Sequence, residues 1–107
     1  KHASTETMEF FIEASDVCNE VNTFVKKGSG DESLKRDYLR KLLGLKNEAI
    51  DRWKAVLGEV DAVDKEWIGA TDENRKPLVK RLLVLSHELS YLSKLQSLID
   101  ELIVAIS

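Results

Sequence analysis

One seam of branched apolar residues constrains this chain more than any other feature. Leu78, Leu82, Leu85, Leu89, Leu92, Gln96, Ile99, Ile103 and Ile106 recur at alternating steps of four and three. An α-helix turns once in about 3.6 residues, so a repeat of 3.5 stays on one face only when the helix supercoils left-handed around a neighbour. The segment therefore demands partner helices, and the rest of the chain has to supply them.

Two further segments meet that demand. Met8, Phe11, Ala14, Cys18, Val21 and Val25 form an amphipathic stripe, with Phe10, Val17 and Phe24 beside it, which predicts a first helix from about residue 4 to 27. Tyr38, Leu39, Leu42, Leu45, Ala49, Trp53, Val56, Val60 and Val63 mark a second, over about 30–67. Gly28 and Gly30 stop the first helix, since glycine takes the left-handed conformation of a helix end, and Ser29 with Glu32 reads as a capping box for the second. "IGATDEN" interrupts the second. Asn74 then serves as N-cap of a third helix over about 74–106, with Pro77 in its first turn, where a missing amide proton is harmless. The expected fold is all-α: one domain, residues 1–107, forming an antiparallel three-helix bundle with long helices.

Composition narrows the function. The chain has 107 residues, one proline and a formal net charge of -3. There is no CxxC, HExxH or glycine-rich phosphate loop, and His2 and His87 are far apart, so no enzyme, metal site or cofactor is expected. Cys18 lies in an apolar stripe and reads as an inert core thiol, and a single cysteine fits a reducing, cytoplasmic compartment. No apolar run reaches the roughly 20 residues of a membrane span. The chain opens on lysine, as a fragment of a longer protein would, so an upstream signal is not legible. The cluster "NRKPLVKRLLVL" is basic, but Asp72 and Glu73 precede it in an acidic chain, which argues against nucleic acid.

Two mixed ribbons flank the apolar stripes. Taking Trp53 as zero and about 100° per residue, Asp51, Lys54, Gly58 and Asp61 fall between roughly 80° and 160° on the second helix, with the core near 340°. On the third helix, Lys76, Val79, Lys80, Leu83 and His87 lie well off the seam. Such ribbons are either solvated faces with weak ion pairs or, because they mix apolar groups with both charge signs, a transient protein interface.

The order of these features resembles the BAG domain, the module of the Bcl-associated athanogene family that binds the ATPase domain of seventy-kilodalton heat-shock chaperones. The resembling text is "AIDRWKAVLGEVDAV", residues 49–63, and "RKPLVKRL", residues 75–82, within a pattern covering about residues 42–92. The resemblance implies a nucleotide-exchange factor that grips the chaperone through Asp51, Asp61 and Arg75, with Lys76, Val79, Lys80 and Leu83 around them. Leu83 replaces a family glutamine, Asp51 stands where a longer glutamate is common, and Pro77 where glycine is frequent.

Two other readings compete with it. A spectrin-like or coiled-coil spacer has the same length and helix count, although this chain lacks the tryptophan such repeats carry early in their first helix. A homodimer that exchanges helices two and three would require the break near residues 69–76 to straighten, which Pro77 opposes.

Overall fold

A computed structural model describes residues 5–28 and 30–107. Three helices follow one another: α1 (Thr5–Lys27), α2 (Glu32–Ile68) and α3 (Asp72–Ile106). They form an all-α, three-helix bundle measuring 61 × 18 × 18 Å. Cross-helix ion pairs Arg81–Glu59 and Lys46–Asp100 fix α2 and α3 as an antiparallel hairpin.

The helix ends follow local chemistry. Gly28 sits at φ 65° and closes α1 by donating to the Val25 carbonyl, as a glycine stop requires. Ser29 lies outside the described residues, and the N-cap of α2 is Asp31, whose carboxylate accepts from the amides of Ser33 and Leu34. The third helix starts earlier than the sequence suggests. Its N-cap is Thr71, whose hydroxyl accepts from the Asn74 amide at 3.3 Å, so Asn74 is a recipient of the cap and not the cap. Asp72 and Glu73 then occupy the first turn, where carboxylates favour the positive end of the helix dipole. Pro77 consequently falls inside the helix, and the carbonyl it leaves without a donor belongs to Glu73, which is exposed and open to water. Only residues 69–71 separate α2 from α3.

The core follows the predicted stripes with two corrections. Phe10, not Met8, anchors the start of α1: Phe10 is 2% exposed and Met8 50%. Leu95 and Leu102 are buried although neither belongs to the Leu78–Ile106 seam. That seam describes contact with one neighbour, whereas α3 packs against both α1 and α2. Cys18 is buried, and burial pushes its thiol above the ordinary value, in keeping with an unreactive core group.

Helix lengths set the architecture around the site. At about 1.5 Å per residue, α2 and α3 run ~50–55 Å while α1 runs ~35 Å. α1 begins level with the middle of the hairpin, where the Arg52 guanidinium donates to Thr7 Oγ1 at 3.4 Å and covers the Phe10 ring, and where Phe11 stacks on Tyr91 at 4.2 Å. From there it runs back to Gly28, with Phe24 against Tyr38. The outer part of the hairpin, beyond Arg52 and towards residues 69–71, is a two-helix coiled coil that α1 does not cover.

Candidate partner-docking face

The uncovered hairpin tip has two sides, and α1 defines them. Arg52 on α2 and Tyr91 on α3 point toward α1. At about 100° per residue, Asp61 lies roughly 180° around α2 from Arg52, while Arg75 and Val79 lie roughly 160° and 120° around α3 from Tyr91. Asp61, Arg75 and Val79 therefore face away from α1, with Leu83 at the border of the same side. The Arg81 guanidinium reaches both Glu59 and Glu66 across the hairpin, so Asp61, between those two, lies opposite the stretch of α3 around Arg81 that holds Val79 and Leu83.

This side carries a concentration of exposed apolar side chains. Leu57, Ile68, Val79 and Leu83 are all exposed, Leu83 by 57%. None of them joins the core cluster, so their burial is not what holds the bundle together. Isolated exposed leucines are ordinary, but four on one side of one hairpin tip, framed by both charge signs, have the composition of a transient interface.

Asp61 is free to meet a partner. Among the described residues it pairs only with Lys65, one turn on at 3.4 Å, and both side chains are well exposed, so the pair contributes well under about 1 kcal/mol and yields readily to another cation. Arg75 is more constrained than the sequence suggests. Its guanidinium lies 4.9 Å from the Trp67 ring centroid, donates to the Trp67 carbonyl at 3.3 Å and reaches Asp72 at 3.8 Å. It is a clasp across the α2–α3 turn as well as a charge, and its buried Nε has no hydrogen-bond partner among the described residues. The cap displacement explains this: Arg75 is the fourth residue of α3, one full turn in, and so reaches back over the turn.

The remaining candidates do not all share this side. Asp51 lies roughly 80° around α2 from Asp61 and about 15 Å along it, on the outer back of the helix. Lys76 is exposed one heptad before Leu83 and shares its place at the border of this side. Lys80 lines a groove on the opposite side, beside α1. His87 is exposed, as expected. The sequence pattern missed the Trp67–Arg75 clasp, for which the tryptophan at the end of α2 and arginine shortly after the turn were the available signal.

Among the described residues no group of three or more His, Cys, Asp or Glu side chains could hold a metal ion, and no helix is long and apolar enough to cross a membrane. Comparison with protein-family models, curated proteins and solved structures finds no match to this chain.

Proposed function

We propose that this chain is a co-chaperone module whose α2–α3 face binds the ATPase domain of a seventy-kilodalton-class heat-shock chaperone and promotes ADP release. The resemblance to the BAG domain suggests the partner. The observation that carries the reading is that Asp61, Val79 and Leu83 are exposed, with the half-buried Arg75 beside them, on a side of the hairpin that neither the core nor α1 uses. Carboxylate and guanidinium on adjacent helices steer one docking pose, and the apolar residues between them supply contact area. A cytoplasmic setting belongs to the same reading.

The mechanism needs no bond chemistry. A module that binds the open arrangement of the ATPase lobes more tightly than the ADP-closed one shifts the chaperone toward the open form, and linkage lowers nucleotide affinity by the same factor. Leu83, in place of a family glutamine, would exchange a polar contact for an apolar one.

Release of fluorescent ADP from a purified heat-shock ATPase domain tests this. The wild-type chain should accelerate release, and Asp61→Ala and Arg75→Ala should each weaken binding about tenfold or more, as truncation of an interface anchor does. Circular dichroism must accompany Arg75→Ala because of the Trp67 clasp. Absence of both binding and acceleration would favour the structural-spacer reading instead.

A further inference from the structure

The other side of the uncovered hairpin carries a groove of about 560 Å³ between α2 and α3, in line with α1. It opens beside Thr7, near the start of α1, and its apolar floor includes Ala55 and Val56 from α2 and Val84 and Leu85 from α3. Further along, the same cleft is occupied by an amphipathic helix, α1 itself, packed through Phe10, Ala14, Cys18 and Val21. The cleft between these two supercoiled helices is thus already shown, in its other half, to seat a helix.

The charges on the groove walls specify what that helix would carry. Most are satisfied within the chain: Arg52 pairs with Glu48, and Arg81 bridges to Glu59 and Glu66. Lys80 and Glu88 line the groove and join no ion pair among the described residues. They lie two steps of four apart on α3, roughly 80° around it and about 12 Å along the axis, with Val84 midway. Glu88 is held above its ordinary value by burial and by the carboxylate of Glu59, with Arg52 only partly offsetting them. Arg52 is near it but paired to Glu48, so the Glu88 carboxylate has no ion-pair partner of its own among the described residues.

We propose that this groove binds an amphipathic helix of a partner protein, lying in line with α1 and setting an apolar side chain over Val84 between a base for Glu88 and an acid for Lys80. The site is on the opposite side from the chaperone-docking face and stands or falls independently of it.

The test uses three synthetic helical peptides of about 16 residues, the length of groove beyond Thr7. They share a central leucine and differ only four residues to either side: one Glu and one Lys, two Lys, or two Glu. Amide shifts of Val84 and Leu85 report binding. The wild-type chain should prefer the mixed peptide about tenfold or more over the other two. Lys80→Glu should switch the preference to the two-Lys peptide, and Glu88→Lys to the two-Glu peptide, because like charges in contact are strongly disfavoured. No saturable binding, or a preference that does not follow the substitutions, would overturn the proposal. So would self-association of the wild-type chain that Lys80→Glu abolishes in light scattering, since the occupant would then be a second copy.

Discussion

The two halves of the α2–α3 hairpin are built on one helical repeat and finished differently. On α3, positions 81, 88, 95 and 102 stand seven apart and face the side on which α1 lies. Where α1 is present the column reads Leu95 and Leu102, both buried; beyond its start the column reads Glu88 and Arg81. α2 does the same, with Arg52, Glu59 and Glu66 at seven-residue steps along the open half. The bond between the hairpin's own helices is continuous, through Val56, Val63, Leu85, Leu92 and Ile99, while the third-helix seat turns from apolar to charged. A two-helix coiled coil can stand in water if the groove its missing neighbour leaves is lined with charges that pair across it, as Arg81 does with Glu59 and Glu66.

Exchanging the two kinds of residue within one column is the strongest way to break this contrast. Leu95→Glu puts a carboxylate beneath α1 at a site 6% exposed. It should cost about 3–5 kcal/mol, the loss expected of an unpaired buried charge plus a lost leucine, and melt the bundle at ordinary temperature. Glu88→Leu, the mirror change one heptad away, should alter stability by less than about 1 kcal/mol in either direction, because the groove there remains open to water. Urea unfolding of both variants decides the matter; equal effects would mean that the two halves are equivalent after all.

The boundary between the halves rests on a smaller device. Arg52 ties the start of α1 to α2: it donates to Thr7 Oγ1, lies 4.8 Å from the Phe10 ring centroid and is itself held by Glu48 at 3.1 Å. Arg52→Ala should cost about 1 kcal/mol overall, the sum expected of a cation–π contact and a part-exposed hydrogen bond. Its local signature should be larger: amide exchange should accelerate in the first turns of α1 and remain unchanged around Phe24. Uniform acceleration along α1 would show that the helix opens as one unit and that Arg52 is not its end-clamp.

Much of this was legible before the structure. A 3.5-residue period has few physical solutions, so helix number, type and antiparallel order followed from Leu78–Ile106 and the two stripes that precede it. What escaped were choices between near-equivalent local options. Thr71 and Asn74 are both good N-caps, and the earlier one wins because Asp72 and Glu73 suit a first turn and because Pro77 can lie inside a helix whose affected carbonyl is solvated. Met8 and Phe10 begin two overlapping stripes on α1, and the position of Arg52, known only once the helices are packed, selects Phe10. The docking candidates were correctly read as off-core, but helical angle alone did not separate the side of Asp61, Arg75, Val79 and Leu83 from the groove that holds Lys80, because that distinction requires knowing where α1 stops. The signal was present in the column 81, 88, 95, 102, whose change from charged to apolar marks the limit of the third helix.

The subtlest expected difference concerns the acid at that limit. Glu88 is partly buried beside Thr7, faces Glu59 and Arg52 on α2, and lines the groove with Lys80 and Arg81. Burial first, and Glu59 second, hold its carboxyl above the ordinary glutamate value of 4.5. The folded state therefore binds this proton more tightly than the unfolded state, and linkage fixes the sign: ionising Glu88 costs the fold stability at pH above its folded value, and the cost disappears as pH falls below the unfolded value. Glu88→Gln should accordingly melt at or slightly above wild type near neutral pH, with the difference closing through the window just above 4.5. No measurable difference at any pH would mean that the open half hydrates Glu88 as fully as the unfolded chain does. A variant less stable than wild type at neutral pH would instead mean that Arg52 and the groove's other cations outweigh the burial, so that Glu88 already has the counter-charge the partner helix was inferred to bring.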